Sequence, residues 1–396
     1  MTASVQAAAP RRALVTLGAV SFSYFAYAGL FSTYAPLWFD SLGFSTLAIG
    51  FLASVQSATR VLSPYAWAWV ADHTGQRTKM LRVAIGLSLL FALGFLVSPA
   101  YLWIVAVTAA LFVCTAGVIP IAEAALANFV SRGGTLDATR YGRVRVWGSL
   151  GFVIAVSGSG FLLQRFGVDR FPFVVIALLG ALLLAASQLP TLHEGAHPDG
   201  DTAGALAVLR KPPVAWFFAG IFFTVLAHTS LYAFFSLYLD SLGYSRSAVG
   251  LLWATGVLVE VVWFWFQGAW LARLTMQGWL ILAAIVSTLR FAVVAAFGAN
   301  PWLLVLSQCL HALTFAAQHT ACIAVINRRF PGRLRGRGQA LYTVLGYGAS
   351  GVLGGVAGGA ISERFGFAAV FWAASVVSLL AVATCWRALV LDRARS

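Results

Sequence analysis

Five charged side chains lie well inside apolar stretches of the sequence: Arg60, Glu123, Arg145, Glu260 and Arg290. Three histidines, His228, His311 and His319, share such stretches. A charge held in an apolar medium costs on the order of 3 kcal/mol or more, so each of these needs a partner or a task. Glu123 and Arg145 stand on either side of a basic turn, at comparable distances from it, and can pair across a helical hairpin. Such a pair is either a structural ion bridge or a clamp. A guanidinium offers a two-pronged fork to a carboxylate, and a glutamate accepts bonds from hydroxyls. Further along, Trp253, Glu260 and Gln267 recur at seven-residue intervals and form one narrow stripe on a helix. His311, Thr314, Phe315, Gln318, His319 and Cys322 fall within an arc of about 140° at roughly 100° per residue. A carboxyl, an arginine and two imidazoles at similar depth have the chemistry to take up and release protons. Nothing has the ligand spacing of a metal site, and no Ser-His-acid or phosphate-loop pattern occurs. No cofactor is therefore expected beyond a coupling proton, and no enzymatic activity.

The elements that must position these groups follow from composition. Of 396 residues, 60% are hydrophobic and 10% charged, far below the ~25% charged share of a soluble domain. Apolar runs long enough to cross a bilayer occupy 13–39, 47–71, 80–98, 102–130, 141–164, 171–190, 213–239, 246–272, 278–298, 301–327, 338–363 and 366–390. The net charge of +14 could suggest a nucleic-acid partner, but its placement argues against one. Apart from Arg60, Arg145 and Arg290, one alternating set of gaps, with the run ends beside them and the two chain ends, holds nineteen Arg and Lys. The other set holds only Arg165, Arg170, Arg246 and Arg364. That bias places both termini in the cytoplasm. The run from Ala13 is too long for a signal peptide and is read as the first span. The four cysteines all lie in apolar runs, so no extracellular disulfide framework is implied.

The chain repeats itself. Asp40-Ser41-Leu42-Gly43-Phe44-Ser45 and the seven residues after it return as Asp240-Ser241-Leu242-Gly243-Tyr244-Ser245 and their successors, with eight of thirteen positions identical. Arg165-Phe166-Gly167 returns as Arg364-Phe365-Gly366. These offsets predict an N-terminal six-helix bundle over 1–190, a cytoplasmic linker over 191–212 and a C-terminal six-helix bundle over 213–396. Six spans is an even number, so the halves share one orientation. Aromatic faces occur at Tyr24, Tyr27, Phe31 and Tyr34 in span one and at His228, Tyr232 and Phe235 in span seven, while Arg145 shares a face with Phe152. Such faces serve either helix packing or a flat ligand. Gly351, Gly355 and Gly359 in span eleven repeat every four residues and allow close approach of another helix.

Two parallel six-helix halves, with Asp72-His73-Thr74-Gly75-Gln76-Arg77 after span two, resemble the major facilitator superfamily. Asp72, Gly75 and Arg77 match its Asp-x-x-Gly-x-Arg loop, although Ala68 stands where a glycine is usual. Pro120 to Ala124 with Tyr141 to Gly148 resembles the lactose permease type of proton symporter. In that family the equivalents of Glu123 and Arg145 contact substrate, and a carboxylate, an arginine and a histidine at the places of Glu260, Arg290 and His311 serve proton coupling. One departure is Thr314, where those symporters carry a glutamate. A fuller resemblance, over essentially the whole chain, is to the 3-phenylpropionate permease branch, through Leu126-Ala127-Asn128, Tyr141 to Gly148, Gly243-Tyr244-Ser245, Leu310-His311, Thr314-Phe315 and His319. Arg60 and His228 also fit it.

What the resemblance implies is proton-coupled uptake of a small aromatic carboxylate by alternating access. Arg60, Glu123, Arg145, His228, Tyr27 and Phe152 would serve the substrate, and Glu260, Arg290, His311 and His319 the proton. The implied setting is a bacterial inner membrane, crossed many times by a monomer whose partners are its small-molecule substrate and the lipid bilayer. Rival readings are a symporter for sugars or nucleosides, a multidrug exporter, and a membrane enzyme or receptor.

Overall fold

The computed structural model describes residues 2–132, 135–136, 138–190 and 202–394. Their helices, in chain order, are α1 (Thr2–Ser41), α2 (Thr46–Thr74), α3 (Arg77–Leu93), α4 (Tyr101–Thr115), α5 (Val118–Val130), α6 (Ala138–Phe166), α7 (Phe171–Ser187) and α8 (Thr202–Leu209). They continue with α9 (Pro212–Ser241), α10 (Arg246–Leu271), α11 (Met276–Phe297), α12 (Pro301–Cys309), α13 (Gln318–Arg329), α14 (Arg335–Leu341), α15 (Ser350–Phe365) and α16 (Phe367–Arg393). Wider π-helical turns at Ala312–Ala317 and Tyr342–Ala349 join α12 to α13 and α14 to α15. Ser131 and Arg132 pair antiparallel with Leu136 and Thr135, a two-residue exception to an otherwise helical fold.

Eleven described helical stretches are long and apolar enough to cross a membrane. The sequence predicts twelve. Helix α2 is not among the eleven, because Gln56, Ser57, Thr59, Arg60, Ser63 and Pro64 dilute its apolar content. Elsewhere large apolar side chains face outward, with Leu102, Trp265 and Trp302 each more than three-quarters exposed. In water such a surface would aggregate, and a lipid tail covers it at no cost.

The internal repeat is visible in the turns themselves. Gly43 and Gly243 both take left-handed backbone, at φ of 82° and 84°. Ser45 and Ser245 then cap α2 and α10 through bonds from the Ala48 and Ala248 amides, at 3.3 and 3.2 Å. Gly167 and Gly366 are likewise left-handed, a conformation that glycine adopts without steric cost.

Two compact units emerge from the packing. One holds Met1–Leu42 and Leu62–His197, the other Gly43–Val61 and Pro198–Ser396. In the first, Phe31 of α1 packs edge-on against Phe112 and Phe171, and Trp38 stacks on Phe171. Tyr34 donates to the Val156 carbonyl of α6 at 2.8 Å. Arg82 of α3 caps the end of α7 by donating to the carbonyls of Ala186, Ser187 and Leu189.

In the second unit, Phe235 of α9, Phe291 of α11 and Phe371 of α16 form an aromatic core. The first half of α2 also belongs here, which the six-plus-six division does not anticipate. Its small residues explain why. A Cβ on Gly50 would lie 2.2 Å from the Gly355 carbonyl oxygen of α15, so only glycine permits the contact. Ser54 donates to the Val352 carbonyl at 2.7 Å, and the Leu47 amide donates to Glu363 at 3.1 Å. Of the expected linker, Thr202–Leu209 is α8, and 191–201 lie outside the described residues.

Candidate functional site

Polar residues gather in two places, one in each unit. In the first, Arg145 of α6 reaches Glu123 of α5, with Nε 3.4 Å from Oε1, and each side chain is about two-fifths exposed. The guanidinium lies 4.3 Å over the ring of Phe25 on α1. That placement depends on Gly148, where a Cβ would come within 2.9 Å of the arginine NH1 and 2.7 Å of Phe25. An exposed ion pair of this kind is worth ~0–1 kcal/mol. Stability alone therefore gives little reason to keep two charges inside apolar helices.

Tyr27 is buried in the same unit, packed against Tyr24 and Phe31. Phe152 of α6 is half-buried and fills the space above Gly29 of α1. Phe31 and Tyr34 have their surface committed to the core, which is the packing role for most of that aromatic face. Gly75 of the loop motif is left-handed, at φ 62°, and Arg77 opens α3. The side chain of Asp72 lies outside those described.

The second unit holds a connected chain of bonds. Arg290 of α11 is fully buried. It donates from NH1 to His311 Nδ1 at 2.8 Å and to the Thr314 hydroxyl at 2.8 Å, and from NH2 to Gln308 Oε1 at 3.2 Å. His311 Nε2 in turn lies 2.8 Å from Glu260 Oε1. Donor rules fix the proton positions. A guanidinium has only donors, so His311 Nδ1 must accept and its ring proton must sit on Nε2, facing the carboxylate. A second proton on Nδ1 would point into Arg290. In this arrangement the imidazole is closed to protonation, and the open proton acceptor of the chain is Glu260.

Around this chain stand the other expected residues. His228 of α9 donates from Nδ1 to the Thr224 carbonyl at 2.8 Å, which leaves Nε2 as a buried acceptor with no partner among the described residues. Its ring centre is 6.3 Å from that of His311. His311, Phe315 and His319 stack in sequence, with interplanar angles of 15° at both steps. His319 Nδ1 meets the Tyr342 hydroxyl at 3.1 Å, which meets Tyr347 at 3.2 Å. Arg60, at the end of the α2 half in this unit, is exposed. The seven-residue stripe of α10 faces its neighbours throughout: Trp253 donates to Ser236 of α9, and Gln267 accepts from Thr320 of α13.

One detail of the sequence reading needs correction. The arc from His311 to Cys322 assumed a regular α-helix, whereas Ala312–Ala317 is π-helical. The wider turn advances less per residue, and His311, Phe315 and His319, spaced four apart, still share one face. Gln308, Tyr342 and Tyr347 were not singled out by sequence. Gln308 stands three positions before His311 on the same face, a spacing that could have signalled it.

Residues 14–373 match the MFS_1 like family. The chain belongs to that family. It is 31% identical over 367 residues to the probable 3-phenylpropionic acid transporter of Escherichia coli K12, an alignment covering 91% of this chain and 94% of the relative. It is 27% identical to the maltose permease of Geobacillus stearothermophilus, covering 91% and 90%. Among solved structures, the nucleoside transporter NupG superposes with a TM-score of 0.83 at 18% identity, covering 94% of this chain and 98% of that one. The protein is thus a secondary transporter of the major facilitator type, a membrane protein acting in transport rather than catalysis.

Proposed function

We propose that this transporter takes up a small aromatic carboxylate, of the phenylpropionate kind, together with protons. The observation that carries the coupling is the closed Arg290–His311–Glu260 chain. Arg290 balances an ionised Glu260 through a neutral imidazole, so the buried group is net neutral. A proton added to Glu260 leaves Arg290 uncompensated in an apolar interior, an unfavourable state that relaxes by rearrangement or by binding an anion. That rearrangement couples proton uptake to passage of the substrate. His319, in stack with His311 and bonded to Tyr342, gives the proton a second station along the same helix.

For the substrate, Arg145 is the foremost carboxylate ligand. It is held flat by Phe25 and Gly148 and keeps about two-fifths of its side chain exposed. Glu123 orients it and Phe152 offers apolar surface for a ring, while Tyr27, buried in this structure, joins the site only as the unit rearranges. Arg60 and His228, both in the second unit, are further substrate residues in this proposal. The relative named for 3-phenylpropionic acid supports this substrate class. We take the twelve predicted spans as two six-helix halves, 1–190 and 213–396, with 191–212 between them, in a bacterial inner membrane, both termini in the cytoplasm, working as a monomer. Gly75 and Arg77 with Asp72 form the loop that limits opening.

The second reading, a sugar or nucleoside symporter, has support from the maltose permease relative and from Glu123, whose carboxylate suits hydroxyl groups. Uptake of labelled 3-phenylpropionate into proteoliposomes, with and without an inward proton gradient, tests the proposal. Gradient-driven accumulation that excess maltose and uridine leave unchanged supports it. Accumulation of maltose or uridine instead, with no uptake of the acid, overturns it.

A further inference from the structure

At one end of the second unit, four helix ends enclose a cavity of about 490 Å3 that the transport reading does not use. Helices α9 and α11 begin there, and α13 and α16 finish there. Lys211, Arg328, Arg329 and Arg393 line it, against a single carboxylate, Asp392. That carboxylate arranges the cations rather than cancelling them. It accepts from Gln277 Nε2 at 2.9 Å, from Arg328 NH2 at 3.2 Å and from Arg329 NH2. Each guanidinium spends one of its donor nitrogens on Asp392 and keeps others for a further acceptor. Lys211 stands at the cap of a 30-residue helix and Thr275 at the cap of a 22-residue one. The positive ends of these two helices are offset by the negative ends of α13 and α16, so the positive field in the cavity comes from its side-chain cations.

The cavity does not close below its cations. It shares Pro213, Val214, Gln277, Arg329 and Asp392 with a crevice of about 20 Å3, room for little more than a single methylene, among Phe217, Leu280, Val325 and Ala388. On the outside, Trp216 of α9 and Trp386 of α16 are exposed one to two turns further in, at the level where aromatic side chains mark a membrane interface. A free phosphate would need only the basic rim. A rim of cations beside the apolar side chains of Val214 and Leu389, at interface depth, fits a molecule with an anionic head and an alkyl stem.

We propose that this cavity binds the headgroup phosphate of an anionic phospholipid from the adjoining leaflet, the one that the excess of basic loops assigns to the cytoplasm. Arg328 and Arg329, held by Asp392, grip the phosphate oxygens, since paired guanidinium donors match phosphate geometry. Lys211 and Arg393 close the rim, and the glycerol and first methylenes lie against Val214 and Leu389. Basic pockets between membrane helices are a general setting for such headgroups.

The test uses the full-length chain, purified and delipidated in detergent, with native mass spectrometry to count bound lipid. The probes are dioctanoyl phosphatidylglycerol, dioctanoyl phosphatidylcholine and inorganic phosphate. The expected result is one tightly retained phosphatidylglycerol, with phosphatidylcholine at least about tenfold weaker. The Lys211→Ala/Arg393→Ala double variant should lose at least about tenfold in phosphatidylglycerol affinity, while Lys211→Arg/Arg393→Lys keeps it. Equal binding of the two lipids, displacement of the lipid by millimolar inorganic phosphate, or full affinity in the alanine variant overturns the proposal. Should the alanine variant fail to purify, the three-probe comparison on the parent protein decides alone.

Discussion

Helix α2 meets α15 through backbone, and a single methyl group measures how tightly. In Gly50→Ala the new Cβ would stand 2.2 Å from the Gly355 carbonyl oxygen and 3.0 Å from the Gly359 Cα. Neither atom belongs to a side chain that can swing away. The helices must part by roughly 1 Å to restore ordinary contact, and the Ser54 bond to the Val352 carbonyl, at 2.7 Å, stretches with them. Overpacking of this kind costs about 1–3 kcal/mol. If the seam opens during the transport cycle, that cost falls only on the closed arrangement and favours the parted one by about 5- to 150-fold. The assay is maleimide labelling of a Ser54→Cys probe in a Cys309→Ser background, with and without Gly50→Ala. Ser54 is buried, so labelling follows the fraction of time the seam stands open. We expect an acceleration within that range. A Gly50→Ala protein that labels and melts like its parent would show that the contact is looser than the structure has it, and the reasoning would fail.

Two further substitutions probe the polar groups. Arg145→Lys keeps the charge but removes the guanidinium fork and its flat contact with Phe25, so uptake should fall at least about tenfold with expression unchanged; near-normal uptake would reduce the Glu123 pair to a structural bridge. Arg290→Met deletes three buried bonds and leaves Glu260 without its balancing charge, a loss of about 3–5 kcal/mol. Thermal melting of the purified protein should show it, with partial recovery when Glu260→Gln removes the stranded charge. An unchanged melting temperature in the single variant would mean that Arg290 and Glu260 do not depend on one another.

Much of this was legible in the residues, and the limits have physical causes. The offset repeat anticipated the paired turns at Gly43 and Gly243, because a left-handed glycine followed by a serine cap is a local device that sequence encodes directly. Pairing of Glu123 with Arg145 followed from depth alone, since two buried charges of opposite sign on adjacent helices have few other partners. The link from Glu260 through His311 to Arg290 followed less completely. Depth put the three residues together, but which partner each His311 nitrogen takes is set by how α10, α11 and α12 pack, which no periodic pattern reveals. Gln308 and Tyr342 are neutral, and a neutral polar residue in a span gives no warning of its own. Helix α2 shows a different limit. Its glycine and serines signal close packing, yet the face they pack against is set by tertiary structure, and its first half joins the second unit.

The central claim is that Glu260 carries the coupling proton. Glu260→Gln keeps the shape and a hydrogen-bonding capacity toward His311 while abolishing the titration, so it separates coupling from binding. The measurement is labelled 3-phenylpropionate in proteoliposomes, followed both as accumulation under an imposed proton gradient and as exchange between equal concentrations inside and outside. The account predicts that Glu260→Gln loses accumulation and retains exchange, while His311→Asn disturbs both, because it breaks the bond that holds Arg290 in place. Full accumulation by Glu260→Gln, with accumulation lost instead in His319→Asn, would move the proton site to α13 and contradict the account.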